Sequence, residues 1–365
     1  MNNSTVKTIC FFNSNKAWGG GEKWHFTTSR EFRKRGLKTY LITNTNSALA
    51  QKCAAEGMPY FPVSISNLSF LNPFRLFKLY RYFKKQQTEA VVMNLSSDVK
   101  AGGIAAKLAG VKKIMYRRGL PHPLRNTLLN RFLYRKILTH VIVNSEEVGR
   151  SFTLHNETWF PAEKIFLLNN GVDVQAPLNL THKLYSKQAN ETIIGNAGRL
   201  TEQKGQVYLI QMAELLKAQN LKFKLLIAGE GELKETLQAQ INAANLQAEV
   251  TLLGHVTDMA GFFNSLDIFV FPSLFEGSAN TLIEVLHHGI PSIAFNVSSN
   301  PEIITHGQTG FLAKAFSPEE LAAYVLELVN NPTLRETFTR NGQQLIREKF
   351  DIQKNLDKFQ ALVCA

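Results

Sequence analysis

The feature that most constrains the fold is a regular alternation of short apolar runs and longer helix-compatible stretches along both halves of the 365-residue chain. Apolar runs that alternate with helices in this way indicate parallel strands, buried on both faces by crossover helices. The predicted strands are residues 6–12, 39–43, 90–95, 113–116, 141–144, 192–197, 223–228, 250–253, 268–271 and 292–295. We therefore predict an α/β protein with two doubly wound parallel-sheet domains.

A polar stretch without strong periodicity divides the two halves. Residues 171–191 are predicted to be a linker between the domains. This places the first domain at residues 1–175 and the second at residues 190–345. A helical pattern over residues 334–362 ends the chain, and residues 346–365 are predicted to pack back on the first domain as a C-terminal helix.

Composition excludes several classes of protein. Hydrophobic residues make up 44% of the chain and charged residues 19%, which is typical of a folded globular protein rather than a disordered one. No apolar run reaches the length of a membrane-spanning helix, and the first apolar run is too short for a signal peptide. The three cysteines have no metal-ligand spacing and indicate a reducing compartment. We predict a cytoplasmic protein.

The net charge of +12 is unevenly distributed. Residues 1–170 carry 26 Lys and Arg against 9 Asp and Glu, a net charge of +17, whereas residues 171–365 carry 15 against 20, a net charge of −5. A basic half of this size favours an anionic partner, such as a phospholipid surface, a phosphorylated glycolipid or nucleic acid. A solvated basic surface without a partner is the alternative.

Two glycine-rich segments follow predicted strands and are typical of anion-binding loops. The glycines at positions 19–21 stand before a predicted helix, where free N–H groups and the helix dipole favour a phosphate; a tight turn is the alternative. In the second half, Gly198 and Arg199 follow a strand, and Lys204 comes shortly after. A guanidinium and an ammonium at a strand end suit a diphosphate that gains charge as its bond to a sugar breaks. Two solvated surface cations are the alternative.

A third segment, residues 271–284, carries two glutamates. Glu276 precedes a predicted helix and suits hydrogen bonds from sugar hydroxyls, whereas Glu284 lies inside that helix and suits a ribose diol. The backbone N–H groups of residues 277–282 are predicted to face a phosphate. The alternative for Glu284 is a capping box with Thr281 at the start of the helix.

Together these segments resemble the GT-B glycosyltransferases of family four. The resemblance rests on the two glutamates, on the Gly198–Gly205 loop, on the N-terminal glycines, and on Asn300-Pro301-Glu302 followed by Gly307-x-x-Gly310-Phe311-Leu312. It implies the GT-B fold, in which two Rossmann-like domains face a central cleft. It also implies retaining transfer from a nucleotide-sugar donor, bound by the second domain, to an acceptor bound by the first.

The resemblance implies a role for each candidate site residue. Arg199 and Lys204 would neutralise the leaving diphosphate, and Glu276 would bind the transferred sugar, which makes these three the predicted catalytic residues. The predicted donor-binding residues are Gly20, Gly21, Gly198, Gly254, His255, Val256, Gly277, Ser278, Asn280, Thr281, Leu282 and Glu284. Among these, Gly254 to Val256 would hold the base through their backbone, and Glu284 would bind the ribose.

One position in the first half departs from the family pattern. Many relatives carry a histidine just before a glycine at the end of a strand, whereas this chain has Arg118 before Gly119. His122 is the nearest histidine and is a candidate for the missing sugar contact, with an ordinary loop residue as the alternative. Arg117 and Arg118 are candidates for binding a phosphate on the acceptor.

The sequence predicts transfer without a metal ion or other cofactor. No two of its aspartates stand two residues apart, so it lacks the Asp-x-Asp metal motif, and Arg199 and Lys204 would take the place of Mg²⁺. No carboxylate nucleophile is evident. We therefore expect front-face transfer, in which the departing phosphate helps to deprotonate the acceptor hydroxyl.

The acceptor is predicted from charge and from one amphipathic segment. Residues 72–85 have two helical faces: a basic one with Lys78, Arg81 and Lys85, and an apolar one with Leu76, Tyr80 and Phe83. Such a segment could lie on anionic lipid, and an ordinary core-facing helix is the alternative. We predict an anionic glycolipid or oligosaccharide acceptor in bacterial lipopolysaccharide or envelope polysaccharide synthesis. Peripheral contact with the inner face of the cell membrane would accompany it.

Two other classes of protein stay open from the sequence. A nucleotide-sugar epimerase of GT-B architecture would need active-site carboxylates in the first domain, which holds few. A basic nucleic-acid-binding protein would explain the charge, but the chain contains no recognition motif, so nucleic acid is not a predicted partner.

Overall fold

The structure is a computed structural model that describes residues 7–154, 156–178 and 182–365. The chain forms two compact units, one of Met1–Leu168 with Leu356–Ala365 and the other of Asn169–Asn355. Each unit is built on one parallel sheet with helices around it. The predicted α/β class with two parallel-sheet domains is therefore confirmed.

The first unit contains a seven-stranded sheet. Its strands are β1 Thr8–Asn13, β2 Lys38–Thr43, β3 Tyr60–Pro62, β4 Thr88–Met93, β5 Lys113–Arg118, β6 His140–Val143 and β7 Ile165–Leu167. They lie in the order β3-β2-β1-β4-β5-β6-β7, and every pair is parallel. All six residues of β1 are buried, as expected for a central strand that helices cover on both faces.

Helices cover both faces of this sheet. They are α1 Gly20–Lys34, α2 Ala48–Ala55, α3 Pro73–Lys85, α4 Ser96–Asp98, α5 Ile104–Leu108, α6 Leu128–Phe132 and α7 Glu146–Thr153. Wider π-type turns over Val99–Gly103 join α4 to α5, and similar turns over Leu133–Ile137 extend α6. Phe12 packs with Leu79 and Phe83 of α3 on one face, whereas the adjacent Phe11 contacts Phe32 of α1 on the other.

Helix α3 has the structure of the core-facing alternative, with its apolar face inward and its basic residues outward. Asn72 caps it by accepting a hydrogen bond from Arg75 N at 3.1 Å, with Pro73 in the first turn. Phe83 of the predicted apolar face is buried, and Leu76 and Tyr80 pack against the core, so that face points inward. The helix is thus core-facing, and its basic residues lie on the exposed side.

The second unit contains a six-stranded sheet. Its strands are β8 Thr192–Ala197, β9 Phe223–Ala228, β10 Val250–Gly254, β11 Ile268–Phe271, β12 Ser292–Phe295 and β13 Phe311–Ala313. Their order is β10-β9-β8-β11-β12-β13, again all parallel. The helices are α8 Gln206–Ala218, α9 Lys234–Ala243, α10 Met259–Asn264, α11 Asn280–His287, α12 Asn300–Ile303, α13 Pro318–Asn330 and α14 Pro332–Lys349, and α15 Ile352–Cys364 follows.

Every predicted strand is present, within two residues at each end. The predictions for β8, β9, β11 and β12 have the observed bounds, whereas Val6 of the first predicted strand lies outside the described residues. Strands β3, β7 and β13 were not predicted. Each has only three residues, too few to show a periodicity.

Two boundary predictions differ from the structure. The described part of residues 171–191 belongs to the second unit, where Val172 pairs with Asp351 and Tyr185 packs against the core. The single helical pattern over residues 334–362 is two helices, α14 and α15, with a break at Phe350 and Asp351. At the break the backbone pairs with Val172, whose N–H donates to Phe350 O and whose carbonyl accepts from Ile352 N, both at 2.9 Å.

The end of the chain packs within the first unit. Phe359 of α15 stacks on Phe32 with ring centroids 5.4 Å apart, and Arg35 Nη1 lies 2.6 Å from Asp357 Oδ1. Among the described residues, no helix is both long enough and apolar enough to cross a membrane.

Candidate functional site

Each sheet has one point at which the strand order reverses. Open α/β sheets bind ligands there, in the crevice beyond the carboxyl ends of the two strands. The reversal lies between β1 and β4 in the first unit and between β8 and β11 in the second. The predicted glycine loops and the predicted catalytic residues follow these strands, so the topology gives both units a candidate site.

In the second unit, the loops that follow β8 and β11 are joined to one another. Leu274 N donates to Gln203 O at 2.8 Å, and Gln203 Nε2 donates to Phe275 O at 2.8 Å. Gly205 has a φ of 66°, and a Cβ atom there would lie 2.2 Å from Pro272 O. Only glycine fits this position, because both the left-handed backbone and the close approach exclude a side chain.

The joined loops bring Lys204 and Glu276 together. Lys204 Nζ lies 2.5 Å from Glu276 Oε1, and the two side chains are only 16% and 10% exposed. The Lys204 stem runs past Gly198, at 3.5 Å from the position of a Cβ there, and its ammonium lies over the Phe271 ring at 5.4 Å. The sequence assigned the two residues to separate parts of a ligand, whereas the structure pairs them.

Ser298 fixes the backbone of Glu276. Its Oγ donates to Glu276 O at 2.6 Å and accepts from Glu276 N at 3.2 Å. Ser298 was not predicted, because it belongs to none of the motifs and lies just before the Asn300-Pro301-Glu302 segment. Its φ of 51° is a conformation that few non-glycine residues adopt.

Arg199 differs from Lys204 in its exposure. It follows Gly198, whose N–H donates to Ala228 O at 3.0 Å, and its own carbonyl accepts from Gln206 Nε2 at 3.0 Å. The Arg199 side chain is exposed, and the structure shows it in no ion pair with another described residue. Its backbone is therefore fixed while its charge faces solvent.

Residues 277–284 do not form the capping box that was the alternative role for Glu284. Helix α11 begins at Asn280, with Ala279 at the N-cap and without a side-chain cap. Thr281 lies inside the helix, so the capping box with Glu284 is wrong. Of the amides expected to face a phosphate, Asn280 N donates to Ser278 O and Leu282 N donates to Ala279 O, both at 2.9 Å. These two amides are occupied within the chain, so the expectation that the N–H groups of Asn280 and Leu282 face a phosphate is corrected.

The predicted donor-binding residues between Gly277 and Glu284 differ in their exposure. Gly277 is buried, and Ser278, Thr281 and Glu284 are partly exposed. The Leu282 side chain is fully buried in the core. Asn280 Oδ1 accepts from Asn170 Nδ2 at 2.9 Å, so this side chain is also engaged within the unit.

Gly254 ends β10, next to a loop that the sequence analysis overlooked. Gly254 has a φ of 69°, and its carbonyl accepts from Gly229 N at 2.7 Å. Glu230 Oε1 lies 3.5 Å from the position of a Cβ at Gly254, and Leu200 N donates to Glu230 O at 2.9 Å. The loop with Glu230 could have been predicted from Gly-Glu-Gly, which directly follows the strand predicted at residues 223–228.

His255 and Val256, the other two predicted base contacts, follow Gly254. His255 is exposed and Val256 is partly exposed. The structure therefore places Gly198, Arg199, Glu230 and Gly254 at one edge of the sheet, with Lys204 and Glu276 beside them.

In the first unit, the site at the strand reversal is centred on a buried carboxylate. Glu22, in the first turn of α1, is 2% exposed. Its Oε1 accepts hydrogen bonds from Asn13 Nδ2 at 2.9 Å, Asn15 Nδ2 at 3.1 Å and Asn94 Nδ2 at 3.4 Å. These bonds join the ends of β1 and β4 to the start of α1.

The N-terminal glycines begin this helix rather than form a loop. Helix α1 starts at Gly20, with Gly19 as its N-cap. A Cβ at Gly21 would lie 2.7 Å from Asn94 Nδ2, whereas one at Gly20 would meet nothing within 4 Å. Gly21 is therefore needed for packing inside the unit, and Gly20 faces open space.

Arg117 lies inside the first unit. It is 4% exposed, its Cζ lies over the Trp24 ring at 4.5 Å, and burial lowers its pKa to about 10 although the Glu22 carboxylate opposes this shift. The adjacent His25 is fully buried, and desolvation together with the Arg117 charge lowers its pKa to about 3. His25 is thus neutral and donates from Nδ1 to Gly21 O at 2.9 Å. This burial departs from the prediction that Arg117 contacts an acceptor.

Arg118 and His122 are brought together by the backbone. Arg118 Nη2 donates to His122 O, and its Cζ lies over the Phe152 ring at 4.9 Å. Arg118 therefore holds the loop after β5, and the His122 side chain is exposed. Of the three residues predicted to contact an acceptor or the sugar, Arg118 is therefore partly exposed and His122 is exposed, whereas Arg117 is buried.

A second buried carboxyl group lies at the same sheet edge. Asp98 accepts hydrogen bonds from the Ser14 hydroxyl and from Leu95 N, the latter at 3.0 Å. Burial nevertheless raises its pKa to about 7. No motif or spacing in the sequence indicated this residue.

Two family models match the chain. The model described as Glycosyl transferases group 1 matches residues 181–345, and the model described as Glycosyltransferase Family 4 matches residues 18–176. Their boundaries fall close to the division between the two units.

Individual proteins are similar over part or all of the chain. The capsular polysaccharide biosynthesis glycosyltransferase CapM of Staphylococcus aureus is 30% identical over 190 residues, which are 51% of this chain and 50% of CapM, so the match spans about half of that relative. An Escherichia coli UDP-Gal:alpha-D-GlcNAc-diphosphoundecaprenol alpha-1,3-galactosyltransferase is 26% identical over 322 residues, 83% of this chain and 82% of that protein.

Solved structures share the fold. The crystal structure of HepE from Anabaena in complex with UDP has a TM-score of 0.82 at 20% identity, over 98% of this chain and 99% of that protein. The likeness establishes the architecture of the two parallel-sheet units.

Proposed function

Because this chain belongs to the glycosyltransferases of group 1 and family 4, with the GT-B fold, we propose that it transfers a sugar from a nucleotide sugar to an anionic glycolipid or oligosaccharide. We further propose that the anomeric configuration is retained and that no metal ion takes part. The observation that carries the proposal is the Lys204–Glu276 pair at the strand reversal of the second unit, with the exposed Arg199 beside it.

The pair suits a diphosphate leaving group. Breaking the bond between sugar and phosphate adds negative charge to the diphosphate, and preorganised cations stabilise that charge in the transition state. Lys204 is held by the joined loops, and Arg199 is tethered by its backbone, so neither has to reorganise much. Bound diphosphate would share the Lys204 ammonium with Glu276 Oε1.

Glu276 has a second role in this proposal. Ser298 holds its backbone in place through two hydrogen bonds, which supports a fixed position for the carboxylate beside the transferred sugar. A carboxylate accepts hydrogen bonds from two adjacent sugar hydroxyls, so Glu276 would orient the transferred sugar. Glu284, partly exposed in α11, would bind the ribose.

We propose a uridine diphosphate sugar as the donor. HepE binds UDP in a structure of the same fold, and the name of the Escherichia coli relative specifies UDP-Gal. In this chain the base would meet the backbone of Gly254, His255 and Val256 at the end of β10. The exposed Glu230 beside Gly254 adds a carboxylate to the same edge.

Transfer would proceed on the front face of the sugar. The departing phosphate would accept the proton of the acceptor hydroxyl, because Glu276 would bind the sugar and no carboxylate would act as a nucleophile. Arg199 and Lys204 supply the positive charge that a divalent cation provides in other enzymes.

The proposed acceptor is an anionic glycolipid or oligosaccharide of the bacterial envelope, such as a lipopolysaccharide core. The first unit provides the basic surface, and the Escherichia coli relative is named for a diphosphoundecaprenol-linked substrate. We place this reaction at the inner face of the cell membrane, where the protein would bind peripherally from the cytoplasm.

A thermal-shift series tests the donor assignment. UDP, GDP, ADP and their sugars are added at increasing concentration, because a ligand that binds the folded state raises stability by mass action, about 2.7 kcal/mol at one hundred times its Kd. We expect UDP and at least one UDP-sugar to raise the melting temperature. No shift with any nucleotide would contradict the proposal.

Activity in excess EDTA tests the metal-free mechanism, and loss that Mg²⁺ restores would contradict it.

A further inference from the structure

The first unit exposes two clusters of large apolar side chains. The α3 cluster consists of Leu68, Leu71, Phe74 and Phe77, which are between 58% and 83% exposed. The α6 cluster consists of Leu120, Leu128 and Phe132, which are between 49% and 84% exposed. Apolar groups concentrated in this way on a surface mark a binding site for a protein or a membrane.

Both clusters lie beside the carboxyl edge of the sheet. The α3 cluster occupies the connection after β3 and the first turns of α3, and the α6 cluster occupies the connection after β5 and the start of α6. Since all strands of this sheet are parallel, both connections leave from the same edge. The helical segment formed by α4, α5 and the turns between them contacts both neighbouring helical segments. The clusters therefore flank it along one edge.

The surroundings of the clusters are basic almost without interruption. Residues 57–145 contain 15 Lys and Arg but only two acidic residues, Glu89 and Asp98, and Asp98 is buried. The exposed cations next to the clusters are Lys78, Arg81, Lys84 and Lys85 on α3, and Arg125, Arg131, Arg135 and Lys136 around α6. Arg81 Cζ lies 5.8 Å from the centre of the Phe77 ring, so charge and apolar surface are interleaved.

We propose that the two clusters form one membrane-docking surface, which inserts Phe74 and Leu128 below the headgroups of an anionic bilayer. Aromatic and aliphatic tips surrounded by Lys and Arg match the boundary between acyl chains and anionic headgroups, because each basic residue gains electrostatic energy there while the tips leave water. The carboxyl edge of the first sheet then faces the bilayer. This step rests on the proposed function: a lipid-linked acceptor would reach the protein at the edge where open α/β sheets bind ligands.

The inserting residues differ from those that the sequence pattern indicated. Phe83 of the predicted apolar face is buried, so it cannot enter lipid. Phe74 and Phe77 instead share the exposed face with Arg81, at spacings of three and four residues.

Vesicle flotation tests the surface. The probe is vesicles of phosphatidylcholine with or without phosphatidylglycerol, and the variants are Phe74→Ser with Phe77→Ser, and Leu128→Ser with Phe132→Ser. These side chains are exposed, so the variants should fold. The matched control is Leu108→Ser, because Leu108 is 66% exposed but ends α5, at the opposite edge of the sheet.

We expect the wild type and the control to bind anionic vesicles within twofold of each other. Each double variant should bind at least tenfold more weakly, and no protein should bind neutral vesicles. Binding should weaken in 1 M salt, where the Debye length falls to about 3 Å. Equal binding by all variants, or equal binding to neutral vesicles, would overturn the proposal. So would a dimer in sedimentation that the double variants abolish, because the clusters would then join two copies of the chain.

The same variants separate this inference from the proposed function. A UDP-sugar should shift the melting temperature of all of them equally, since none of the substituted residues is among the predicted donor-binding residues. Normal donor binding without vesicle binding would overturn the docking surface alone. Vesicle binding that depends on the clusters, without any response to nucleotides, would overturn the proposed donor and support the docking surface.

Discussion

The two units share a topology but use the point of strand reversal differently. In the second unit, that point holds an ion pair close to the surface, Lys204 with Glu276, and the exposed Arg199. In the first unit, it holds the Glu22 carboxylate, which is enclosed by the amide groups of three asparagines. Both arrangements follow the carboxyl ends of central strands, and both include glycines at the turn.

This difference shows that the residues at the strand reversal, and not the shared sheet topology, decide whether that point can bind a ligand. The Glu22 carboxylate is only 2% exposed, and its Oε1 already accepts three hydrogen bonds, so it serves mainly to hold the strand ends and α1 together. A cation paired with a single carboxylate, next to an exposed guanidinium, can exchange part of its pairing for a phosphate. Fold and site are separable for this reason, and the sites have to be compared residue by residue.

The largest expected effect comes from breaking the pair in the second unit. Lys204→Met leaves the nearly buried Glu276 carboxylate without its cation, which costs about 3–5 kcal/mol in comparable buried pairs. Turnover should fall more than tenfold, or about 1.4 kcal/mol, because the diphosphate loses a cation. Urea unfolding measures the first quantity, and the rate of sugar transfer or of donor hydrolysis measures the second.

A double variant separates these two losses. Lys204→Met with Glu276→Gln removes the uncompensated charge, so most of the stability should return while turnover stays low. Recovery of turnover together with stability would mean that the pair is structural only, and the two units would then not differ in the way described.

The next effect is the pH dependence of the free energy of unfolding, to which two buried groups of the first unit contribute with opposite signs. The folded-state pKa of Asp98 is raised to about 7 from 3.8, so between these values the folded protein keeps a proton that the unfolded chain has released. Its contribution makes the free energy of unfolding fall as pH rises from about 4 to 7. The pKa of His25 is lowered to about 3 from 6.5, so its contribution makes the free energy of unfolding rise over about pH 3 to 6.5. Each slope reaches about 1.4 kcal/mol per pH unit at most.

Single variants should expose these opposing slopes. Between pH 4 and 6.5 the two contributions nearly cancel in the wild type. Asp98→Asn removes the falling one, so its stability should increase with pH more steeply than that of the wild type. His25→Phe removes the rising one, so its stability should decrease with pH relative to the wild type. Urea titrations at several pH values give both slopes, and parallel curves for all three proteins would contradict the assignment.

The sequence predicts much of the fold because apolar strands of four or more residues have a clear signature. The four strands with the predicted bounds are buried along their whole length except at Lys224 of β9, so their pattern reflects their environment directly. The three-residue strands were missed because pairing with a neighbour, rather than local pattern, makes them strands.

The site was predictable in its residue types but not in its contacts. Arg199, Lys204 and Glu276 stand out by spacing and resemblance, but their residue types alone do not show that Ser298 holds Glu276, or that Lys204 forms an ion pair with it. Glycines illustrate the same limit, since Gly20 and Gly21 look equivalent in sequence and only the position of Asn94 distinguishes them. Asp98 gave no signal, because its burial depends on the whole unit.

Arg199 provides a smaller and more specific effect in the second unit. Arg199→Ala should change the free energy of unfolding by less than about 0.5 kcal/mol, because the side chain is exposed and the structure shows it in no ion pair with another described residue. Turnover should nevertheless fall more than tenfold, as expected for a group that acts on the transition state. Lys349→Ala, an exposed cation at the end of α14, is the matched control and should keep normal turnover. Equal turnover in the two variants would show that Arg199 is a solvated surface residue.

The smallest expected effect separates packing from ligand contact within the glycines of the first unit. Gly20→Ala adds a methyl group to open space at the start of α1, and restricting the unfolded chain should stabilise the protein by about 0.5 kcal/mol. Gly21→Ala places its Cβ 2.7 Å from Asn94 Nδ2, so that amide must move and weaken its bond to Glu22; we expect a loss of about 1 kcal/mol. Melting curves give both signs.

The UDP-sugar shift of the Gly20→Ala protein then decides whether the open space at Gly20 belongs to the donor. A reduced shift in a protein of undiminished stability assigns this space to the ligand. An unchanged shift would show that the open space at Gly20 holds no part of the donor and would overturn the prediction that Gly20 binds it.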